Sequence, residues 1–194
     1  IAASGGITGI APYSNLIGIK VLDSNGEGSS SDMLAALDWC INNADLYNIS
    51  VISISFGTDC DIYPEYCYDH YCDGEDPSTA QRINEAVSKN ISVIIATGNN
   101  GNFTHISNPA CIKNATAVAW SNKDDTINTG SNRNNLTDLI APGISINSTL
   151  GKCLGECICS GNYMVCSGTS MSTPHVSAAY ALIGEYFELQ NNRT

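Results

Sequence analysis

In Gly168-Thr169-Ser170-Met171-Ser172-Thr173-Pro174-His175-Val176 a serine stands at the very start of an apolar helical pattern. There the hydroxyl meets the unpaired backbone N–H groups of a first helical turn and the positive end of the helix dipole, both suited to a developing oxyanion. Ser170 is thus placed as a nucleophile. Two other readings compete. Thr169 or Ser170 can simply cap the helix, as these residue types commonly do. An esterase-type nucleophile elbow needs glycine two residues after the serine, and Ser172 stands there. A second polar turn, Asn99-Asn100-Gly101, has the composition of an ordinary tight turn.

The elements that must hold these residues follow from periodicity. Residues 15–22 read as a short buried strand, and residues 32–45 as a helix capped by Ser30 or Ser31 with Met33, Leu34, Leu37, Cys40 and Ile41 on its apolar face. Residues 49–56 read as a β-branched strand, 77–89 as a helix with Pro77 in its first turn, and 91–96 as an apolar strand. Shorter strands are expected at 115–120, 138–141 and 144–150, and a long apolar helix at 168–188. Strands alternating with helices at this spacing predict an α/β fold: a mostly parallel sheet with helices on both faces in three layers. Sites in such sheets form beyond the carboxyl ends of the strands, which puts residues 26–28, 55–58 and 98–101 on one rim. Residues 58–76, rich in Tyr, Asp and Cys, have no usable period and read as an inserted, disulfide-held loop.

Composition narrows the class. The chain has 194 residues, enough for one domain with a sizeable core. Its 8 basic and 19 acidic residues give a net charge of -11, which disfavours nucleic acid and anionic membrane surfaces as partners. No apolar stretch approaches the roughly 20 residues of a membrane helix. Nine cysteines, clustered at Cys60, Cys67, Cys72 and at Cys153, Cys157, Cys159, Cys166, favour disulfides and a secreted protein. A zinc site at the second cluster is the lesser reading. Cys40 is expected to be a plain buried thiol. Acceptor sequons for N-linked glycan occur at Asn48, Asn90, Asn102, Asn114, Asn135, Asn147 and Asn192; in a chain so rich in Asn, Ser and Thr, chance accounts for roughly half of them.

The serine stretch closely resembles the serine motif of the subtilisin-like peptidases, and further stretches match in the family's order. These are Gly9-Ile10-Ala11-Pro12, Lys20-Val21-Leu22-Asp23, Ser53-Ile54-Ser55-Phe56-Gly57, Ala96-Thr97-Gly98-Asn99 and Ala141-Pro142-Gly143. The likeness spans nearly the whole chain, apart from residues 58–76 and the hairpin 153–166, so residues 1–194 are expected to form part of one subtilisin-like catalytic domain. The resemblance implies a serine endopeptidase in which Ser170 is acylated and Asn99 donates its side-chain amide to the oxyanion beside the Ser170 N–H, assisted by Thr169. Gly26, Glu27, Gly28, Ser55, Phe56 and Gly57 match the segments that hold an extended peptide; Ala96, Thr97, Gly98, Ser107 and Ala110 match the first specificity pocket. Glu27 adds a negative charge near the neighbouring subsites, where basic side chains would be tolerated. Met171 would be open to oxidation beside the nucleophile.

Asn108-Pro109 matches a position where the family often has a cis proline, although most X-Pro bonds are trans. The resemblance also implies polypeptide substrates, a possible propeptide or inhibitor as partner, a monomer, and no cofactor; residues 4–9 offer no carboxylate for a metal. The triad's aspartate and histidine find no match: His70, His105 and His175 all lie outside the family's histidine context, and both partners are expected upstream of Ile1. A peptide-binding module that does not cut is the alternative.

Overall fold

The computed structural model describes residues 1–2, 8–149 and 157–191. Helix α1, Ser30–Asn42, buries Met33, Leu37, Cys40 and Ile41, four of the five residues read as its apolar face. Its cap is Ser29, one residue before the expected pair, whose Oγ accepts from the Asp32 N–H and donates to Asp32 Oδ2. The helix also stops early. The Asn43 N–H and Nδ2 both close on Trp39 O, and a single turn, α2 (Ala44–Tyr47), leads to Asn48 in the left-handed conformation. Strand β1 (Val51–Ile54) follows.

The expected loop 58–76 carries a 3-10 turn at Pro64–Tyr66 and a two-residue strand β2 (Cys67–Tyr68) before α3 (Pro77–Ser88), whose cap Asp76 accepts from the Thr79 N–H. Next come β3 (Ser92–Ala96), β4 (Ile106–Ser107), β5 (Thr116–Ser121), β6 (Leu139–Pro142), β7 (Ile146–Thr149), β8 (Ile158–Ser160), β9 (Tyr163–Cys166) and α4 (Thr169–Asn191). The main sheet is wholly parallel in the order β1-β3-β5-β6, with Val51 beside Ser92, Ile94 beside Thr116 and Val118 beside Leu139. β2 pairs antiparallel with β4, and β7, β9 and β8 form a small antiparallel sheet. Strands of two residues carry no periodicity, which is why β2 and β4 escape a sequence reading.

Side chains alternate between the two faces of the main sheet. Ile54, Val93, Ile95 and Ala117 pack with α1 and α3; Val51, Ile94, Val118 and Ala141 pack with Val176 and Tyr180 of α4. Covering both faces explains the near-continuous apolar runs of β3 and β5. The three-layer α/β arrangement is therefore as expected. The second half of α4 is not: Leu182, Ile183, Tyr186, Phe187 and Leu189 are exposed, because the sheet beneath the helix reaches only as far as its first half.

Residues 15–22 form no strand. Leu16 (71% exposed) and Ile17 (45%) face outward, and the sheet ends at β1. A cavity of about 640 Å³ lies between this segment and β1, lined among others by Leu16, Ile19, Val21, Met33, Val51 and Leu182. Apolar sequence alone does not make a strand; ladder partners on the backbone do.

The Asn108–Pro109 bond is cis. Disulfides join Cys60 to Cys67, Cys72 to Cys111 and Cys157 to Cys166, while Cys40 is a free, buried thiol whose pKa is pushed up by burial. The Cys72–Cys111 bridge, of sequence separation 39, ties the inserted loop to the turn before β5. Closing a loop of that length is worth about 3–4 kcal/mol in the chain-entropy account. Replacing both cysteines by alanine is expected to lower the unfolding free energy by that amount in urea titrations. The sequence readings of residues 4–7, of Cys153 and of Asn192 fall outside the described residues.

Candidate active site

Helix α4 begins at Thr169, directly after Gly168. Gly168 has φ +141°, a left-handed backbone that disfavours a side chain, and a Cβ there would press on the Asn99 carboxamide at 3.1 Å from Oδ1. Its N–H bonds to Gly143 O at 2.9 Å, which seats the serine turn against the Ala141-Pro142-Gly143 turn. Ser170 therefore occupies the first helical turn, where its own N–H has no partner within the helix. Pro174 brings no N–H, so the Ser170 carbonyl also lacks its usual partner four residues on.

The Ser170 side chain is half-buried, and its Oγ donates to Ser55 O at 2.7 Å. Ser55 leaves the carboxyl end of β1. Asn99 arrives from the carboxyl end of β3 on an exposed turn, and its Oδ1 accepts twice from Thr169: from N–H at 2.8 Å and from Oγ1 at 3.0 Å. With Oδ1 held there, Nδ2 is the free end of the carboxamide. Residues more than a hundred positions apart, Ser55 and Ser170, thus meet at one rim, with Asn99 one residue away through Thr169.

The loop behind Asn99 is fixed by a residue that no sequence pattern marks. Asn132 is fully buried; its Oδ1 accepts from the N–H groups of Asn100 (2.9 Å) and Asn102 (3.0 Å), and its backbone N–H donates to Gly98 O at 2.9 Å. Its carbonyl accepts from Thr97 Oγ1 at 2.7 Å, and its Nδ2 donates to Asn100 Oδ1 at 3.2 Å. A polar run such as Ser131-Asn132-Arg133-Asn134-Asn135 reads from sequence as solvated loop; the only available hint was its unusual density of carboxamides.

The other expected site residues divide into three groups. Phe56 is half-buried against the core, and Gly57 lies close to Asn108 O. Ala96, Thr97 and Ser107 are buried behind Gly98, with Ser107 Oγ at 3.3 Å from Cys60 Sγ. Gly26, Glu27 and Gly28 are exposed in a turn closed by Asp23, whose carboxylate takes the Asn25 and Glu27 N–H groups. Those bonds, Glu27 first, hold the Asp23 pKa below its ordinary value. Among the described contacts none joins residues 26–28 to Ser170.

None of the three histidines approaches Ser170 as a base. His175 Nδ1 is bonded within the helix to Met171 O at 2.7 Å, and His105 Nδ1 to Thr104 Oγ1 at 2.7 Å. His70 lies exposed between Asp69 (2.7 Å) and Glu75 (3.2 Å), and those two hydrogen bonds, Asp69 first, raise its pKa above the usual 6.5. The bond from His70 correspondingly lowers the pKa of Asp69 and of Glu75. The cluster's contribution is full where all three are charged: it is lost as pH rises through the raised His70 value, and as pH falls through the depressed carboxylate values. An NMR titration is expected to place His70 above 6.5, and Asp69→Asn to move it back down.

A serine at a helix start, its hydroxyl held by a backbone carbonyl from a parallel strand, and a carboxamide anchored on the preceding residue form an arrangement whose N–H donors could cradle an oxyanion next to a hydroxyl nucleophile. The sequence profile of the Subtilase family matches residues 1–194. Subtilisin E from Bacillus subtilis (strain 168) is 34% identical over 183 residues, covering 92% of this chain and 41% of that protein. Subtilisin from Bacillus pumilus is 35% identical over 183 residues, 92% of this chain and 56% of that protein. A solved structure of a cold adapted subtilisin-like serine proteinase superposes with TM-score 0.68 at 26% identity, covering 91% of this chain and 56% of that one. The chain thus spans about half the length of the relatives it matches. With its parallel sheet, its serine helix and a family profile matching from end to end, this chain belongs to the subtilase family.

Proposed function

We propose that this chain carries the nucleophile and oxyanion site of a serine endopeptidase that cleaves extended polypeptide through an acyl-enzyme on Ser170. The observation that carries this reading is the Asn99–Thr169–Ser170 arrangement, in which two bonds tie the carboxamide Oδ1 to Thr169, the residue before Ser170, and leave Nδ2 without a hydrogen bond among the described residues. In the reaction Ser170 Oγ attacks the peptide carbonyl carbon. The carbonyl oxygen takes up negative charge between Asn99 Nδ2 and the Ser170 N–H, and collapse of the adduct expels the amine and leaves an ester on Oγ. Water then cleaves that ester. The polypeptide lies as an added strand along Ser55, Phe56 and Gly57 on one side and Gly26, Glu27 and Gly28 on the other. Gly98 borders the first pocket, with Ala96, Thr97 and Ser107 behind it. The bridges Cys60–Cys67, Cys72–Cys111 and Cys157–Cys166, found among the described residues, support secretion, since such bonds persist in oxidising compartments.

The serine proton needs an acceptor, and in this structure it goes to a backbone carbonyl, which is no base. The 194 residues by themselves are accordingly expected to show no turnover of a peptide substrate. The same observation favours the second reading, a module that holds peptide without cutting it. A fluorophosphonate probe applied to the native protein, followed by peptide mass mapping, separates the two. Covalent phosphonylation of Ser170 is the expected result; an unlabelled Ser170 in folded protein that still binds peptide supports the module instead.

A further inference from the structure

Four of the acceptor sequons share one place in the fold. Asn48 precedes β1 at Val51, Asn90 precedes β3 at Ser92, Asn114 precedes β5 at Thr116, and Asn135 lies in the turn into β6 at Leu139. These are the four strands of the parallel sheet, so every one of them is entered through an Asn-x-Ser/Thr triplet. Because the strands run in one direction, all four asparagines gather at the amino edge of the sheet. Ser55 and Asn99, which follow β1 and β3, stand at the opposite edge, about 15 Å away at the rise of a strand. All four acceptor asparagines are exposed.

Local structure accounts for part of this pattern only. Asn48 (φ 51°) and Asn90 (φ 61°) adopt the left-handed conformation that ends a helix, which explains asparagine there. It does not explain the serine two residues later: the hydroxyls of Ser50 and Ser92 make no hydrogen bond among the described residues. Asn135 is likewise without a side-chain hydrogen bond, and Asn114 Nδ2 donates to Asn84 Oδ1 at 2.7 Å, which a singly substituted amide still allows. Asn102 contrasts with these. It is half-buried on the catalytic rim, with its Oδ1 taking the Thr104 N–H (2.9 Å), the Thr104 hydroxyl (3.0 Å) and the His105 N–H (2.9 Å).

From this placement we infer that Asn48, Asn90, Asn114 and Asn135 carry N-linked glycans that cover the amino edge of the sheet, the edge opposite Ser55 and Asn99. The inference rests on the secretory reading given above. The donor is a lipid-linked oligosaccharyl diphosphate. Asparagine Nδ2 forms a bond to the sugar C1, the bond from C1 to the diphosphate oxygen breaks, the amide proton passes to the transferase's base, and the lipid diphosphate leaves. On folding, the sugar chains project into solvent from exposed positions at no cost in core packing, whereas one on Asn102 would stand three residues from the oxyanion carboxamide.

The test uses the protein recovered from its own source, with medium and cells fractionated separately. Peptide N-glycosidase in water enriched in oxygen-18 turns each glycosylated asparagine into labelled aspartate, which mass spectrometry locates. Label at three or more of positions 48, 90, 114 and 135, with Asn102 unlabelled, is the expected result. Deglycosylation of the folded protein should also leave the rate of fluorophosphonate labelling unchanged. Label at fewer than three of the four, in secreted protein whose Cys60–Cys67 and Cys72–Cys111 bridges are intact, overturns the glycan inference and leaves the secretory reading standing. Protein found only inside cells with those cysteines reduced overturns the secretory reading, and the glycans with it.

Discussion

Asn99→Ala in the peptidase-active protein is expected to lower kcat by about 10²–10³ and to leave KM nearly unchanged. The magnitude is the one measured for the corresponding donor in subtilisin and is carried over from there. The split between kcat and KM follows from where the charge appears. In the proposed reaction Asn99 Nδ2 meets little charge on a ground-state peptide carbonyl and a full one on the tetrahedral adduct, so its loss should be felt in the transition state alone. Thr169→Val makes the companion measurement. It removes the 3.0 Å bond from Oγ1 to Asn99 Oδ1 but keeps the 2.8 Å bond from the backbone, so the carboxamide loosens without leaving. One neutral hydrogen bond is worth about 1 kcal/mol, which corresponds to a loss of roughly fivefold in kcat. Steady-state kinetics on both variants is the check. A rise in KM with kcat untouched would show that the carboxamide binds substrate instead of stabilising the adduct.

Gly98→Ala is expected to unfold the site from behind. Gly98 has φ +106°, and a Cβ there would collide with Ser107 Oγ and Asn132 Nδ2, both on fully buried residues. Neither neighbour can give way easily. Asn132 is spent on the N–H groups of Asn100 and Asn102, and Ser107 sits against the Cys60 sulfur. The strained backbone and the overpacking together suggest a loss of about 2–4 kcal/mol in unfolding free energy. Asn132→Ala should cost a comparable amount by a different route, because it leaves the two part-buried N–H groups of Asn100 and Asn102 without an acceptor. Urea denaturation gives the stabilities. Fluorophosphonate labelling of the folded fraction shows whether the Asn99 turn goes first: labelling that falls more steeply than stability means that the turn loosens before the domain opens.

The parallel sheet, its flanking helices and the serine at the head of α4 were legible in the sequence because each leaves a local trace. β-Branched runs mark β1 and β3, and the spacing of Met33, Leu37, Cys40 and Ile41 marks α1. Boundaries were less legible. Ser29 rather than Ser30 or Ser31 caps α1, and adjacent serines differ only in which hydroxyl can turn toward the Asp32 N–H. Residues 15–22 have a strand's composition yet pair with nothing, and the far half of α4 is apolar yet exposed. Both depend on whether a neighbouring element is present to cover them, and no window of sequence carries that information.

Sequence by itself determined the kinds of residue available for chemistry and the order in which strands and helices deliver them. A chain's own spacing dictates periodicity and turns. Only the tertiary structure decided that the Ser170 hydroxyl bonds to Ser55 O and the Asn99 carboxamide to Thr169, that Asn132 holds the turn behind them, and that four acceptor asparagines stand at the other edge. The physical reason is that these groupings are made by hydrogen bonds and strand direction acting between residues distant in the chain, and such contacts exist only once the parallel sheet has set every strand pointing the same way.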